Sequence, residues 1–558
     1  MTVARSPHIR LAWGAMWVAL ALIPLLFLGV FFAWPTVTLI VRGFIDEGGA
    51  LDLSAFTEVF SRPRTWRIIG LTLGMATVAT VISVLLGFPG AHILYCRQFP
   101  GQSLARGLIA VPFVLPTVVV GVAFRSLLGP GGWWAPLGLE ESVTAVIAAM
   151  VFFNYSLVVR GVGSTWSRLD PRLVQAARAL GATPVRAFFT VTMPALLPAI
   201  ASVASVVFLY CATAFGIVLI LGGNDLATIE SEIYQLTTSY LDLRSASVLS
   251  IVQLAVVALA LFIANRARSA GQGALHLRAD PLRRPISRSD GPAAAITTLV
   301  ILGLLATPIA QLLWRSFHRK GAFTLANWID LTRSDFSRAV RISAFEAAAN
   351  SLIAATSAAA LALIIGVSLA LVVTRSPQSP LGKRALALLD GAFMLPLGVS
   401  AVTVGFGFLL TLGREPFDLL GSPWLVPVAQ AVVAVPLVVR LIAPILRAIH
   451  PRQREVAAAL GASPLRVLVT IDGAHLVRGG AVAAGFAFAT SLGEFGATSF
   501  LARSDAPTLP VYIFRLISRP GAPEQGVAVA ASVFLALIAA TIMVLVERGR
   551  PSTSGEFA

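Results

Sequence analysis

Charged residues are scarce in this chain of 558 residues, at 12% of the total. A water-soluble globular protein carries about twice that share, so the composition excludes this class. Apolar residues make up 57% instead, and the mean hydropathy is +0.84. The sequence therefore predicts an integral membrane protein, and we expect its net charge of +16 to reflect membrane topology and not nucleic-acid binding.

Cysteine, histidine and lysine are also rare. Cys96 and Cys211 lie far apart and have no partner at metal-ligand spacing, which excludes a disulfide framework. The six histidines are scattered, and no cluster of catalytic spacing supports a membrane enzyme or a metal site. Neither Lys320 nor Lys383 lies in the Gly-Lys-Ser/Thr sequence of a Walker A loop. We expect no catalytic residue, no metal site and no ATPase site in this chain.

Long apolar runs, by contrast, recur along the whole chain. Twelve of them are long enough to cross a hydrocarbon core of ~30 Å as helices. They lie near 12–34, 68–94, 104–128, 143–161, 194–221, 246–265, 293–314, 343–374, 385–412, 425–447, 476–501 and 525–546. The first run is longer than the apolar core of a signal peptide, so we predict a retained helix.

An internal repeat divides these spans into two sets of six. Residues 157–186 recur as residues 437–466, an offset of 280, with thirteen of thirty positions identical. Because six is even, both halves have the same orientation, as in a parallel repeat. We predict a first permease-like half at 1–265, a polar, arginine-rich cytoplasmic linker at 266–292 and a second half at 293–558. Cytoplasmic termini place most basic residues on the cytoplasmic side, as the positive-inside rule expects.

The repeated segment predicts two short helices around a tight turn. Asp170 is a good N-cap and Pro171 suits the first helical position. Gly181 can adopt the left-handed conformation that ends a helix. The second copy has the same order, with His450-Pro451 and Gly461. An amphipathic helix on the lipid headgroups is an alternative, but it does not explain why the turn chemistry recurs at the same spacing.

These segments resemble the cytoplasmic "EAA" loop of permeases in bacterial ABC importers. The family pattern is Glu-Ala-Ala, three residues and Gly. The matching residues here are Gln175, Ala176, Ala177 and Gly181 in the first copy, and Glu455, Val456, Ala457 and Gly461 in the second. The first copy departs from the pattern at Glu and the second at the middle Ala, so the two copies are not expected to be equivalent.

The resemblance implies a fold and a set of partners. The fold is an all-α membrane protein of about twelve transmembrane helices in two parallel six-helix repeats, as in type I ABC importer permeases. Each loop is expected to seat in one copy of a separate cytoplasmic ATPase, so two copies bind the chain. Further partners are an extracytoplasmic substrate-binding protein and the lipid bilayer, with no nucleic acid. The chain binds no cofactor itself, and it lies in the bacterial cytoplasmic (inner) membrane with both termini cytoplasmic.

Candidate residues of a gate or substrate path lie in the fifth span of each half. Glu494 is one of three acids inside predicted spans, with Glu346 and Asp390, and such charges usually face a cavity or a partner. The segment 491–496 resembles permeases for thiamine, ferric iron, sulfate and molybdate, which include carriers of cations and of anions. That range favours a structural or hinge role for Glu494 over substrate binding. Phe215-Gly216 and Phe495-Gly496 occupy equivalent positions and are the other candidates, with a packing role as the alternative.

The sequence leaves open which substrate the protein transports and whether ATP or an ion gradient drives the transport. The fusion of two permease halves resembles thiamine and ferric-iron permeases, and segments 227–235 and 508–513 resemble the thiamine permease more closely. A secondary transporter driven by an ion gradient is the alternative from another class. It predicts a basic Gly-x-x-x-Asp-Arg loop after the second span, where this chain has CRQFPGQSLAR. We therefore expect an importer permease, most closely of the thiamine type.

Overall fold

The computed structural model describes residues 20–45, 48–223, 225–270, 284–334, 336–337, 340–374, 384, 399–413 and 418–548. Within these ranges, nine helices are long and apolar enough to cross a membrane. They are Leu20–Phe44, Pro63–Cys96, Val143–Trp166, Pro184–Ala212, Leu243–Ile263, Arg288–Ser316, Ala344–Val373, Leu425–Ala448 and Ala522–Val546. Two apolar pairs are bent, Gln102–Val114 with Thr117–Leu128 by 105° and Leu465–Val477 with Gly479–Leu492 by 55°. Eleven of the twelve predicted spans overlap one of these helices or pairs.

The first half of the remaining predicted span, 385–412, lies outside the described residues, and its described second half forms the short apolar helix Ala401–Thr411. The first span is described from Leu20 to Phe44 and so extends about ten residues beyond the predicted end at 34. The sharp bend in the third span follows from Pro116. A residue before proline avoids the helical conformation, and Leu115 is extended, with φ −68° and ψ 132°.

Short elements connect the spans. The α-helical ones are Ser54–Ser61, Pro171–Ala179, Gly216–Leu221, Ile229–Thr238, Ala326–Asp330, Pro451–Ala459, Thr498–Leu501 and Leu509–Ile517. Ala135–Leu137, Arg288–Asp290 and Leu419–Gly421 are 3-10 turns, and π-helical turns occur at Gly29–Ala33, His92–Cys96, Phe188–Thr192, Val300–Ala306 and Leu468–Asp472. Described strands have two residues each: Arg97–Gln98 pairs in parallel with Arg284–Pro285, and His318–Arg319 pairs antiparallel with Ala322–Phe323. The fold is all-α.

The sequence repeat reappears in the packing of helices. Gly87 lies against Val158 in the first half, and Gly366 lies against Val438 in the second. In both pairs, a Cβ atom on the glycine would stand 2.6 Å from the valine Cγ1 atom. Small residues allow such close helix contacts in membranes. In each half, the backbones of the two corresponding helices therefore approach each other closely.

The chain divides into two compact units, which do not coincide with the sequence halves. One unit comprises 1–52, 340–512 and 537–554, and the other comprises 53–339, 513–536 and 555–558. In the first of these, Leu28 and Phe32 of helix Leu20–Phe44 join a core built by helices of the second half. In the other, Gln311 of helix Arg288–Ser316 donates from Nε2 to the carbonyl oxygen of Ser126, at 3.3 Å. The first helix of each half thus packs with helices of the other half.

Candidate functional site

The two EAA-type segments have the same backbone. We name residues 171–187 the first loop and residues 451–467 the second loop. In the first loop, helix Pro171–Ala179 begins where Asp170 Oδ1 accepts a hydrogen bond from the Arg172 N–H, at 3.0 Å. In the second loop, helix Pro451–Ala459 begins where His450 Nδ1 accepts from the Arg452 N–H, at 3.2 Å. Both start signals therefore act as N-caps.

Both helices end in the same Schellman motif. In the first loop, the Ala182 N–H donates to Ala177 O at 3.1 Å and the Gly181 N–H to Arg178 O at 3.0 Å. The matching bonds in the second loop, to Ala457 O and Ala458 O, measure 3.0 and 3.1 Å. The motif needs a left-handed residue after the helix, and Gly181 and Gly461 have φ +88° and +83°. The glycines are thus required by the backbone.

The candidate coupling residues lie at the surface of each loop. Gln175, Ala176 and Gly181 are exposed in the first loop and Ala177 is half-buried. Glu455, Val456 and Gly461 are exposed in the second, and Ala457 is half-buried. The repeat therefore presents the same backbone positions outward in both copies.

Sequence reasoning missed that the leucine before each glycine is exposed. Leu180 is 89% exposed and Leu460 is 83% exposed. Clusters of exposed apolar side chains mark contact surfaces, and Val185 and Leu465, again offset by 280, are also exposed. The available signal was an identical leucine directly before the turn glycine in both copies.

An ion pair connects the second loop to the π-helical turn Leu468–Asp472 that follows it. The Arg454 guanidinium donates from Nε and Nη2 to Asp472 Oδ1, at 2.9 and 2.6 Å, and also from Nη2 to the carbonyl oxygen of Leu446. The Asp472 side chain is fully buried. At the equivalent positions the first loop has Val174 and Thr192, which cannot form an ion pair. The loops differ in their interiors.

Glu494 lies in a break between two helices in the fifth span of the second half, and its side chain caps the second of these helices. Helix Gly473–Leu492 ends just before it, and helix Thr498–Leu501 begins just after it. The buried Glu494 carboxylate accepts hydrogen bonds from the N–H groups of Ala497 and Thr498, at 2.8 and 3.1 Å, and from Thr498 Oγ1 at 2.5 Å. These bonds satisfy amide groups that a helix start leaves open. The geometry supports a structural role and shows no ligand position.

The other gate candidates flank the same break in both halves. Phe215 is buried and precedes helix Gly216–Leu221, and its ring centroid lies 5.4 Å from that of Tyr234. Phe495 is also buried. A Cβ atom on Gly496 would stand 2.8 Å from Ala401 Cβ, so this glycine permits a close contact. Of the other two intramembrane acids, Glu346 forms a capping box with Ser343, and Asp390 lies outside the described residues.

Comparison with known proteins places the whole chain among transporters. Residues 79–270 match the domain described as "binding-protein-dependent transport system inner membrane component". The thiamine transport system permease protein ThiP of Brucella abortus (strain 2308) is 27% identical over 523 residues, which cover 91% of this chain and 92% of that protein. A putative 2-aminoethylphosphonate transport system permease protein, PhnU of Salmonella typhimurium, is 28% identical over 264 residues, 45% of this chain and 92% of its own length.

A structural neighbour is a bacterial ABC transporter involved in the import of the acidic polysaccharide alginate. It is 16% identical, has a TM-score of 0.40, and covers 48% of this chain and 97% of that chain. The domain match and the relative that spans nine-tenths of the sequence are the stronger findings. Together with the repeated helices and loops, these two findings support a membrane permease of the binding-protein-dependent ABC importer type, with two permease halves fused in one polypeptide.

Proposed function

We propose that this chain is the membrane subunit of an importer for thiamine, which an extracytoplasmic binding protein delivers. The observation that carries the proposal is the similarity to a thiamine permease over nearly the full length of both proteins. A relative whose name gives another substrate matches less than half of this chain. Ferric iron and an ion-gradient-driven mechanism are the alternatives that the experiment below distinguishes.

The first and second loops are the proposed contacts with two copies of a separate ATPase. Each loop has a rigid turn, a short helix and an exposed leucine, Leu180 or Leu460. An exposed apolar side chain beside a fixed backbone is suited to a pocket on a partner. Gln175 and Glu455 lie at equivalent exposed positions, so a negatively charged contact at this position is available only to the second loop.

The energy source is proposed to lie in those ATPase subunits. Neither lysine of this chain stands in a Gly-Lys-Ser/Thr sequence, which a Walker A loop uses to bind phosphates. On this proposal, the chain binds no cofactor and hydrolyses no ATP itself. Closure of the ATPase pair would move the first and second loops, and through them the fifth span of each half.

The multi-pass chain lies in the inner membrane, and we place both of its termini in the cytoplasm. This orientation puts both loops on the side where ATP is available. It also agrees with the distribution of basic residues between the spans. Single cysteines introduced at Leu180 and at Tyr240 test this orientation. The proposed topology places the two residues on opposite sides of the membrane, so an impermeant thiol reagent added to one side should modify only one of them.

The function is tested by reconstitution of the full complex in proteoliposomes. We expect radiolabelled thiamine to accumulate only when permease, ATPase, binding protein and ATP are all present. Uptake driven by a proton gradient without any ATPase would overturn the importer assignment. Uptake of ferric iron with no uptake of thiamine would retain the importer and replace the substrate.

A further inference from the structure

Two short helices at the offset of 280 present the same narrow surface. Helix Ile229–Thr238 follows the fifth span of the first half, and helix Leu509–Ile517 follows that of the second. Residues 227–233 and 507–513 are all buried. The next two positions in each helix are half-buried: Tyr234 and Gln235, and Phe514 and Arg515. Along each helix from its N-terminal end, the first residue that is not buried is therefore aromatic: Tyr234 in one and Phe514 in the other.

These two aromatic residues touch each other. The Tyr234 and Phe514 ring centroids are 6.3 Å apart, and the rings meet edge to face at 81°. Both residues belong to the same compact unit. They are also equivalent in the repeat, because 514 is 234 plus 280. A residue can contact its own equivalent only beside the axis that relates the two copies, so this ring pair marks the axis of the repeat.

The ring pair is connected to the break in the fifth span. The Phe215 ring lies 5.4 Å from the Tyr234 ring, directly after the interruption between helices Met193–Ala212 and Gly216–Leu221. The first loop leads into helix Met193–Ala212 through one π-helical turn. One π-helical turn and one helix therefore connect the first loop to Phe215, which contacts Tyr234.

One positively charged residue, Arg515, interacts electrostatically with Tyr234 of the pair. Burial lowers the pKa of the Arg515 guanidinium, and the neighbouring Tyr234 phenol opposes this change. The equivalent residue in the other half is the neutral Gln235. Repulsion by one arginine grows in proportion to the charge of the passing ion. A singly charged, flat organic cation is repelled less than a trivalent metal ion, and it gains attraction from the aromatic faces.

We propose that Tyr234 and Phe514 form a substrate-contacting gate on the axis of the repeat, which parts to admit a flat aromatic cation and stacks against its rings. The proposal rests on the proposed function and makes it more specific. It assigns selection between thiamine and a metal ion to this pair and to Arg515. The contact in this structure corresponds to the closed gate.

Cross-linking tests the gate independently of the substrate. Cys96 and Cys211 are both free thiols and are first replaced by serine. In that background, Tyr234→Cys with Phe514→Cys is treated with a short thiol-specific cross-linker in the complete complex, and mass spectrometry verifies the linked peptides. We expect cross-linking to lower both import and the binding-protein stimulation of ATP hydrolysis at least tenfold, and reduction to restore them. In each single-cysteine variant, the same treatment should leave import and ATP hydrolysis as they were in that variant before treatment.

Substitutions test the stacking contact. Tyr234→Leu and Phe514→Leu should each raise the KM for thiamine import about fivefold to tenfold, because a cation–aromatic contact is worth about 1 kcal/mol. Tyr234→Phe and Phe514→Tyr, which retain the rings, should import as the wild type does. Tyr240→Leu, an exposed tyrosine just beyond the first of these helices, is the matched control.

The outcomes separate this proposal from the thiamine assignment. If cross-linked protein keeps its stimulated ATP hydrolysis and import, the pair is not a gate. If the leucine variants leave the KM unchanged, the rings do not contact the substrate. If wild-type complex imports no thiamine but cross-linking still blocks stimulated ATP hydrolysis, the substrate is wrong and the gate stands.

Discussion

The first and second loops share a backbone and differ in what lies beneath it. Caps, glycine turns and exposed leucines recur at the same positions, with hydrogen bonds that agree within 0.2 Å in the caps and 0.1 Å in the turns. Beneath this surface, Arg454 of the second loop pairs with Asp472, which follows that loop, and Val174 and Thr192 occupy the equivalent positions in the first half. The comparison teaches that the outward geometry is common to both copies, whereas the way each loop is attached to its span is not.

The largest effect on import is expected at the exposed leucines, which test whether both loops dock. Leu180→Asp and Leu460→Asp should each reduce ATP-driven import by at least about tenfold, because a charge would enter an apolar contact worth about 2 kcal/mol or more. The protein should remain as stable as the wild type, since both side chains are exposed. Leu180→Met and Leu460→Met are the controls. Unimpaired import in one aspartate variant would mean that only the other loop docks.

The next effect concerns the Arg454–Asp472 ion pair and tests the difference between the two loops. Asp472→Ala should destabilise the second loop by about 3–5 kcal/mol, because it leaves the Arg454 charge without its partner. Thr192→Ala, at the equivalent position, should cost about 1 kcal/mol or less. Hydrogen exchange at 451–472 and at 171–192 measures the two effects separately.

A double variant makes the second loop copy the first. Arg454→Val with Asp472→Thr should recover most of the stability that Asp472→Ala loses, since an apolar replacement of a buried pair is often neutral. Exchange in the double variant as fast as in Asp472→Ala would contradict this account.

The turn glycines should give smaller and equal effects, which tests what the two loops share. Gly181→Val and Gly461→Val place a branched side chain at φ +88° and +83°, at a cost of about 1–2 kcal/mol. A Cβ atom at either glycine would meet no neighbour within 4 Å, so the cost is one of backbone conformation. We expect ATP hydrolysis to continue while import falls. Gly181→Asn and Gly461→Asn, which tolerate this conformation, should import well, and normal import by the valine variants would refute the role of the turns.

The smallest effect is expected at the N-caps, where the acceptor atom is an oxygen of Asp170 in the first loop and a nitrogen of His450 in the second. Exchange of the caps, with Asp170→His and His450→Asp, should weaken the first helix and strengthen the second by about 1 kcal/mol or less. Amide exchange in the first turn of Pro171–Ala179 and of Pro451–Ala459 measures both changes. Equal exchange before and after the swap would show that the proline at the first helical position is sufficient.

Much of the fold and of the two loops was predictable because the signals are local. Apolar runs predicted the all-α membrane fold, which is confirmed, and eleven of twelve spans overlap a described helix or bent pair. Cap, proline and glycine positions predicted the helices of both loops within a residue. Each of these features depends on residues within one turn or one span of each other.

The side-chain contacts between different helices and turns were not predictable from such local signals. Arg454 and Asp472 are 18 residues apart, and nothing in the sequence alone indicates that the chain returns to bring them together. Glu494 was recognised as unusual, but its hydrogen bonds to Ala497 and Thr498 depend on a helix break. The Tyr234–Phe514 contact connects residues 280 positions apart, and only their equivalence in the repeat was visible beforehand.

The sequence by itself determined that this protein spans the membrane, that it is built twice, and that each copy carries a glycine-ended helical turn. Those properties follow from hydrophobicity and from backbone preferences, which act over a few residues. Only the tertiary structure decided that the first helix of each half packs with the other half, that Arg454 of the second loop pairs with the buried Asp472, and that two equivalent rings meet. Such choices depend on which distant surfaces fit together, because close packing rewards complementary shape and not residue type alone.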